Sequence, residues 1–378
     1  MPSGSLLRTQ TDAGLTERDA RWAWGILPQA GGVGLQALLA AFGSALAAWR
    51  TPPDRIRAAG IGPALAAAMQ RFPWAQTLRT EQQRVAEAGV SVIVWGDPEY
   101  PAPLRRIPSA PPVLYVRGRL DPEDVQAVAV VGSRRATAYG AAVARELAGE
   151  LARRGITIVS GLARGIDAAA HAGAVEAGGR TLAVLGSGLD QLYPPEHRAL
   201  ADAVAGAGAL LTEFPLGTPP LRLHFPQRNR IISGLSLGVV VVEAGLGSGA
   251  LITADHALDQ GREVFAVPGR VHARYSEGSN RLIKVGAKLV ETWEDVLVEL
   301  VPALKPSRRK TRVKPPPTLS ANEQLVYEAL GGGPLHIDAI IVATGLGGGR
   351  VASVLVELEM RGVIRQVKGK VFEQADGG

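Results

Sequence analysis

Cysteine is absent from this 378-residue sequence, which excludes disulfides, thiolate metal sites and cysteine nucleophiles. Long apolar runs are missing too, since none approaches the roughly 18 to 20 residues that a membrane span requires. Met1 to Thr16 show no basic start followed by an apolar block, so no secretory signal is predicted. These absences predict a soluble, cytoplasmic protein.

Several motifs of catalysis are also missing. No Gly-x-x-x-x-Gly-Lys-Ser/Thr sequence occurs, which disfavours phosphate-loop nucleotide hydrolysis. Gly132–Thr137 lacks the second and third glycines of a dinucleotide fingerprint, and Gly186–Gly188 lacks the Gly-x-Ser-x-Gly frame of a nucleophile elbow. Asp167 and His171 have the spacing of metal ligands on one helix face, but such a pair more often caps or braces neighbouring loops. The sequence therefore predicts no catalytic residue, no metal and no cofactor.

A charge excess is missing from most of the chain, although the formal net charge is +6. Six basic residues lie within residues 304–317, a stretch without acids: Lys305, Arg308, Arg309, Lys310, Arg312 and Lys314. The remainder carries 35 basic and 35 acidic residues, because 41 minus 6 leaves 35. An anion site in the folded domains must therefore come from a few aligned groups, and the basic run is predicted to be a solvated linker with nonspecific phosphate affinity.

The length predicts two or three domains. Residues 1–85 are predicted to form a helical N-terminal domain, with one helix over Leu35–Trp49 and glycine hairpins at Gly31–Gly34 and Gly60–Pro63. This pattern resembles a helix-hairpin-helix (SAM-like) module, in which a Gly-x-Gly turn presents N–H groups to a phosphate. Tight helix–helix turns also need glycine for steric reasons alone, so DNA contact here is one of two interpretations.

Residues 90–303 are predicted to form a Rossmann-like α/β domain. A first strand is predicted near Val90–Trp95, and the proline-rich segment Pro111–Gly118 is predicted to be an edge or packing element rather than a central strand. Seven short apolar segments then alternate with Ala-rich helical stretches: 127–131, 156–159, 180–185, 209–212, 238–242, 264–267 and 288–290. Their continuous hydrophobicity predicts burial on both faces of a doubly wound, mostly parallel sheet.

Residues 318–378, beyond the basic linker 304–317, are predicted to form a winged helix. Three helices are expected at 320–330, 336–344 and 348–361, followed by a hairpin at 362–374. The would-be recognition helix is mostly apolar and carries two glutamates, whereas a helix that reads bases needs exposed Arg, Asn or Gln. Protein contact is therefore favoured over DNA contact for this module.

The segment Leu223–Gly234 is the strongest candidate site. It places four polar or aromatic residues near the start of a predicted helix: Phe225, Arg228, Asn229 and Arg230. No Asp or Glu occurs from Phe214 to Val242. Guanidinium groups, an amide and an aromatic face suit a phosphate backbone and a base. The structural alternative is a solvated basic turn before an apolar core helix.

Further candidates follow the other predicted strands, at the carboxyl edge where open α/β sheets bind ligands. The turns there supply nine more candidate residues: Gly132, Ser133, Arg134, Ser160, Gly161, Gly186, Gly247, Ser248 and Gly249. Gly247–Gly249 precede a predicted helix, so free N–H groups and the helix dipole would face an anion. One glycine turn is weak support, but five on one edge predict a shared pocket.

Together these blocks resemble the DNA processing protein A (DprA/Smf) family. The matching blocks are 131–134, 160–171, 185–194, 225–234, 243–249 and 267–269. The resemblance spans roughly Asp97 to Val290 and implies a non-enzymatic, sequence-tolerant single-stranded DNA binding protein. It also implies a homodimer through the Rossmann-like domain and assistance in loading RecA recombinase during natural transformation.

The same resemblance implies individual roles. Arg134, Arg228 and Arg230 would hold phosphates and Phe225 would stack on a base, while Gln227 fills the variable position of its block. The alternative is a Rossmann-like nucleoside monophosphate hydrolase that uses Glu243, a strand-end glutamate beside a glycine loop. DNA binding is favoured, because Phe225 and the arginine pair exceed what one mononucleotide requires, and an orienting structural role is favoured for Glu243.

Overall fold

The computed structural model describes residues 14–27, 31–60, 62–300, 319–361, 363–367 and 369–374. The chain divides into two compact units, Met1–Arg309 and Lys310–Gly378. The basic linker predicted at 304–317 lies outside the described residues. The domain boundaries drawn from the sequence, near residue 85 in particular, stay predictions.

The described part of the first unit begins with helices that precede the first strand: α1 Glu17–Ile26, α2 Gly31–Phe42, α3 Ala45–Arg50, α4 Pro53–Ala58, α5 Pro63–Arg71 and α6 Trp74–Glu87. The Glu17 carboxylate accepts hydrogen bonds of 2.9 and 3.0 Å from the first two backbone N–H groups of α3. The rings of Trp24 and Trp74 pack on Trp49 with centroids 5.9 and 5.4 Å away. An aromatic core therefore holds these helices together.

The glycine turns differ in part from the prediction. The hairpin predicted at Gly31–Gly34 is wrong, because these residues form the first turn of α2. The single helix predicted over Leu35–Trp49 is also wrong: Gly43 has a φ of +74°, and Ser44 then caps α3. Between α4 and α5 the predicted turn is present, with Gly60 at a φ of +80°.

A nine-stranded sheet forms the centre of the first unit. Its strands are β1 Ser91–Val94, β2 Val113–Gly118, β3 Ala127–Val131, β4 Thr157–Ser160, β5 Thr181–Val184, β6 Ala209–Thr212, β7 Gly238–Val241, β8 Glu263–Ala266 and β9 Lys288–Leu289. The order is β1-β2-β6-β5-β4-β3-β7-β8-β9, and only the pairs β1–β2 and β2–β6 are antiparallel. The seven parallel strands are the seven predicted from apolar segments, which confirms the mostly parallel sheet.

Helices cover both faces of this sheet: α7 Ala102–Arg105, α8 Ala138–Arg153, α9 Ile166–Glu176, α10 Arg198–Ala207, α11 His224–Leu235, α12 Gly249–Asp259, α13 Glu277–Lys284 and α14 Trp293–Leu300. Alternate residues of β3 enter different layers, as strand geometry requires. Val128 and Val130 share a core with residues of α8 and α9, whereas Ala129 and Val131 share one with α11 and α12. The predicted doubly wound class is confirmed.

Two strands depart from the prediction. The segment Pro111–Gly118 was expected at an edge, but β2 pairs with β1 on one side and β6 on the other. Its two prolines precede the strand, so neither interrupts the ladder. β9 was expected to be buried, but both its residues are exposed because it forms the edge of the sheet beside β8.

Helix α6 also positions the segment that leads into α11. The Glu81 carboxylate accepts a hydrogen bond from Leu216 N at 2.9 Å, and Arg84 Nη1 donates to Leu216 O at 3.1 Å. Burial raises the pKa of Glu81, while the bond from Leu216 N lowers it. The segment after β6 is therefore held by the N-terminal helices before the chain enters α11.

The second unit contains α15 Ala321–Ala329, β10 Leu335–His336, α16 Ile337–Thr344, α17 Gly348–Met360, β11 Ile364–Gln366 and β12 Val371–Gln374. Val326, Ile340, Leu355 and Phe372 share its core. The predicted three helices and hairpin are confirmed, and β10 adds a third strand through pairing with β12.

Among the described residues no single helix is long and apolar enough to cross a membrane. α16 and most of α17 would meet the length and composition only when they are counted together, and the two are bent by 111° at the break between them.

Candidate functional site

A cavity of about 870 Å³ lies at the carboxyl edge of the parallel strands, where the sheet topology predicts a ligand site. The loops after β3, β4, β5, β6 and β7 contribute to it. The lining includes Gly132, Ser133, Arg134, Arg135, Asp167, Tyr193, Arg222, Phe225, Arg228, Asn229, Gly247, Ser248 and Gly249. We call this cavity the cleft.

The first wall of the cleft is the turn after β3. A Cβ on Gly132 would lie 2.6 Å from Ile166 Cγ1 and 2.8 Å from Glu243 O, so only glycine fits there. Ser133 N donates to Glu243 O at 2.7 Å, and Ser133 Oγ accepts from Arg135 N at 3.1 Å. The turn is thereby held in place, and the exposed Arg134 side chain extends from it over the Phe225 ring.

Glu243 braces this wall from below. Its carboxylate accepts hydrogen bonds from Thr137 N at 2.9 Å and Thr137 Oγ1 at 2.5 Å, at the start of α8. The residue is buried. Both carboxylate oxygens are therefore used in holding the β3 turn, which matches the structural role favoured for Glu243.

An arginine and two aromatic rings form a stack across the mouth of the cleft. The Arg134 guanidinium lies 4.8 Å from the Phe225 ring centroid, and the Phe225 and Tyr193 centroids are 5.8 Å apart. Tyr193 is 37% exposed, and the Arg164 guanidinium lies 5.7 Å from its ring. A cation over an aromatic face is attracted to the ring quadrupole, so the stack is preorganised while Tyr193 and Arg134 stay exposed.

Arg228 lies beneath this stack and is 3% exposed. Its Nη1 donates to Gly161 O at 2.8 Å and also to Val184 O, which ties the ends of β4 and β5 to α11. Burial lowers the pKa of Arg228 to about 10, with nearby Arg134 lowering it further and Asp167 opposing, so the group is charged at neutral pH. The phosphate contact of Arg228 stays a prediction, while its Nη1 atom stabilises the fold through the two carbonyl contacts.

Arg230 corrects the sequence-based assignment. Its Nη1 and Nη2 each donate to a carboxylate oxygen of Glu213 at 2.7 Å, and its Nε donates to Ser109 O at 3.0 Å. It is 8% exposed and is not part of the cleft lining. Because a buried bidentate ion pair uses the guanidinium, Arg230 braces α11 against its neighbours and is not placed to hold a phosphate.

The floor of the cleft is the start of α12. Ser248 caps this helix, and Asn229 Nδ2 donates to Gly249 O at 3.1 Å. A Cβ on Gly247 or Gly249 would meet no atom within 4 Å, so the space above them is open to a ligand. Free N–H groups and the positive end of the helix dipole favour an anion in that space.

Three predicted site residues support the cleft from outside it. Ser160 is fully buried and donates to Val130 O at 2.6 Å. A Cβ on Gly186 would lie 3.0 Å from the Phe225 ring, and one on Gly161 would lie 2.5 Å from the Arg228 guanidinium. Ser160 is therefore a brace within the sheet, and the two glycines make room for the side chains above them.

Sequence reasoning missed Arg135, Arg222 and Tyr193. Arg135 and Arg222 are exposed, and neither guanidinium, nor that of Arg134, forms an ion pair or hydrogen bond with another described residue. The acid-free segment from Phe214 to Val242 already contained Arg222, three residues before Phe225. Four arginines and only one carboxylate, that of Asp167, line the described cleft, so it is positive within a charge-balanced domain.

Asp167 and His171 both have hydrogen-bond partners within the protein. The Asp167 carboxylate accepts hydrogen bonds from Gly161 N at 3.2 Å and Ala163 N at 3.4 Å. His171 Nδ1 lies 2.7 Å from the Thr181 hydroxyl, which itself donates to Ile158 O. No group of three potential metal ligands occurs among the described residues. Asp167 braces the loop after β4, and His171 contacts β5 instead of that loop.

Burial makes His171 a pH-dependent element of stability. Burial lowers the pKa of His171 from 6.5 to about 3, and the positive charges of Arg228 and His197 lower it further. The Nε2 atom of His171 has no hydrogen-bond partner among the described residues. Between pH 6.5 and pH 3, His171 is therefore protonated in the unfolded chain but neutral in the folded chain. The stability contribution is present above pH 6.5 and is lost as the pH falls toward 3, by at most about 1.4 kcal/mol per pH unit.

The variant His171→Gln should show a shallower fall in the free energy of unfolding between pH 6.5 and pH 4 than the parent. Urea denaturation at each pH measures both proteins, and their difference at pH 7.5 serves as the baseline. Parallel curves for the two proteins over this range would contradict the assignment.

Fold and site together define a Rossmann-like α/β protein with a positive, aromatic-lined cleft and an appended winged helix. The family model described as DNA recombination-mediator protein A matches residues 91–301, and the DprA winged helix domain matches residues 310–370. The chain belongs to the DNA processing protein A (DprA/Smf) family.

Individual relatives agree with this assignment. Protein Smf of Synechocystis is 38% identical over 312 residues, covering 74% of this chain and 78% of the relative. Protein Smf of Escherichia coli is 43% identical over 283 residues, covering 71% and 74%. The structure of DNA processing protein A from Streptococcus pneumoniae superposes with a TM-score of 0.61 at 35% identity, over 79% of this chain and 98% of that one.

The Helicobacter pylori DNA processing protein A, whose structure was solved for its single-stranded DNA binding mode, superposes with a TM-score of 0.51. The two chains are 28% identical, and the superposition covers 57% of this chain and 97% of the Helicobacter pylori chain.

Proposed function

We propose that this protein binds single-stranded DNA without strong sequence preference in the cleft, and acts in the cytoplasm on DNA that enters during natural transformation. The observation that carries the proposal is the Arg134–Phe225–Tyr193 stack, which lines the same cavity as the start of α12. Aromatic faces accept any base, whereas arginine side chains and helix N–H groups hold the backbone. The single-stranded DNA binding of the Helicobacter pylori relative supports the same ligand class.

The geometry favours single strands over duplexes. Phe225 is half-buried beneath the Arg134 guanidinium, and Tyr193 lies beside it. A base can reach these rings only when it is unstacked, and in a duplex the base faces are covered by their neighbours. Stacking adds about 1 to 3 kcal/mol per base, which a duplex cannot gain here without the cost of unpairing.

A titration with single- and double-stranded DNA of equal length at several salt concentrations tests the proposal. The single strand should bind more tightly, and its affinity should fall with salt at a logarithmic slope of about 0.7 per neutralised phosphate. Equal affinity for both forms, or a salt-independent affinity, would exclude the proposed mode.

We infer that the protein is not an enzyme, because Glu243, the candidate for nucleotide hydrolysis, is committed to the start of α8. Its carboxylate accepts two hydrogen bonds from Thr137 and is buried. Incubation with mononucleotides and chromatography for released base tests this point. Release of base that Glu243→Gln abolishes would favour the hydrolase.

We propose further that the bound strand is passed to RecA recombinase. The support is membership of a family described as recombination mediators. RecA is assayed on single strands that are coated with a single-strand-binding protein. The expected result is faster DNA-dependent ATP hydrolysis by RecA when this protein is added. If the protein only slows RecA at every ratio tested, the loading role is wrong.

The open edge of the sheet is the proposed homodimer surface. β9 pairs only with β8 among the described strands. Leu289 on β9 and Val285 shortly before it are exposed, as is Leu258 on α12, the helix that packs against β7 and β8. Exposed apolar residues beside the free edge of a strand favour association with a second copy. Sedimentation of Leu258→Glu/Leu289→Glu should show a monomer where the parent is a dimer, and a parent that sediments as a monomer contradicts the proposal.

We propose that the winged helix contacts protein rather than DNA. Glu357 and Glu359 lie on α17 and are exposed, as is Val356 directly before Glu357. Carboxylates on that surface repel phosphates. Deletion of residues 318–378 should therefore leave the affinity for a poly-dT oligomer within about twofold of the parent, measured by fluorescence anisotropy. A tenfold loss would place this module in the DNA interface.

A further inference from the structure

The loop between β8 and α13, residues 268–276, continues the carboxyl edge of the sheet beyond the cleft. β8 is the neighbour of β7 in the sheet, and the loop after β7 forms part of the cleft. A Cβ on Gly245, which lines the cleft, would lie 3.1 Å from Arg274 O. A strand of DNA that leaves the cleft past Gly245 therefore meets this loop next.

The backbone of the loop is held in place. Ala273 N donates to Arg270 O at 3.0 Å and Ser276 N donates to Ala273 O at 2.8 Å, so two turns follow one another. Asn280 joins the loop to α13, because its side-chain amide donates to Gly269 O at 3.0 Å and accepts from Gly269 N at 3.1 Å. The loop is a preformed platform.

The side chains of this platform are free. Arg270 and Arg274 are exposed, and neither guanidinium forms an ion pair or hydrogen bond with another described residue. His272 is exposed between them, and Tyr275 is 38% exposed. No Asp or Glu occurs from Val264 to Ser276. Unpaired guanidinium groups next to an exposed aromatic ring repeat the chemistry of the cleft, which nothing in the core of the unit requires.

We propose that the β8–α13 loop is a second subsite for single-stranded DNA, in which Arg270 and Arg274 hold backbone phosphates and Tyr275 stacks on a base. This proposal rests on the proposed function of the cleft. The second subsite defines the path of the bound strand along the carboxyl edge of the sheet, from the loop after β5 across β3 and β7 to β8.

The proposal is tested with poly-dT oligomers of increasing length and the variant Arg270→Ala/Arg274→Ala. A matched control, Arg119→Ala/Arg153→Ala, removes two exposed arginines at the amino edge of the sheet. For long oligomers the loop variant should bind roughly tenfold more weakly, and its salt slope should fall by about 1.4, or 0.7 for each phosphate lost. The shortest oligomer that fills the cleft should bind the loop variant and the parent equally.

Crosslinking gives a second, independent measurement. Oligomers that carry one 5-iododeoxyuridine at successive positions should crosslink to Tyr193 or Phe225 from one position and to Tyr275 from another, displaced in a constant direction. Crosslinks to Tyr275 from no position, together with parental affinity of the loop variant at every length, overturn the second subsite.

The outcomes separate this proposal from the function of the cleft. Loss of affinity for the shortest oligomer as well as the long ones shows that the loop acts on the cleft itself, and this also overturns the second subsite. If the parent binds no oligomer, the proposed function fails with it. If Arg134→Ala weakens binding while the loop variant does not, the function stands and only the second subsite is wrong.

Discussion

Replacing Arg134 and Arg222 together by alanine should weaken the binding of a poly-dT oligomer by roughly 100-fold, about 2.7 kcal/mol, because each removes a charge-assisted phosphate contact. Both side chains line the cleft and are exposed. The logarithmic salt slope should fall by about 1.4, since two phosphates are no longer neutralised. Fluorescence anisotropy at matched salt measures both quantities.

The matched controls sharpen this expectation. Arg119→Ala/Arg153→Ala removes the same charge at the opposite edge of the sheet and should leave affinity within about twofold. Arg134→Lys keeps the charge but loses the planar group that lies over Phe225, so its affinity should fall between those of the parent and Arg134→Ala. Parental affinity of Arg134→Ala/Arg222→Ala would exclude the cleft as the DNA site.

Replacing Arg230 by alanine should instead destabilise the first unit by about 3 to 5 kcal/mol, because Glu213 would be left buried and unpaired. The two side chains are 8% exposed each and form two hydrogen bonds of 2.7 Å. Urea denaturation measures the loss. DNA affinity, measured where the variant is folded, should stay close to that of the parent.

A second variant separates the ion pair from the phosphate role. Arg230→Met/Glu213→Leu removes both charges and should recover much of the lost stability, since no unpaired charge stays in the core. Arg134→Ala should leave stability unchanged. If Arg230→Ala were as stable as the parent but lost DNA binding, the result would support the phosphate contact predicted for Arg230 from the sequence and contradict its role as a brace.

The contrast between these arginines explains how far prediction from residues could go. Arg228 and Arg230 are two positions apart on α11, and such positions do not share a helix face. One guanidinium therefore points beneath the cleft and the other toward Glu213. Local sequence marks both as candidates for an anion site, but Glu213 precedes Arg230 by 17 residues and comes near it only through the fold.

The same limit applies to what was missed. Tyr193 lies on the loop after β5, and its place beside Phe225 depends on the order of strands in the sheet. The edge position expected for Pro111–Gly118 was wrong because the prolines precede β2 instead of interrupting it.

By itself the sequence determined the parallel strands, the carboxyl edge at which the glycine turns gather, the winged helix and the family. Apolar periodicity and turn glycines are local properties, so they can be identified along the chain. Only the tertiary structure decided which arginine side chains are exposed in the cleft and which are paired with carboxylates and carbonyls in the protein. Burial and ion pairing depend on residues far apart in sequence, and the fold alone brings Arg134 to Phe225 and Arg230 to Glu213.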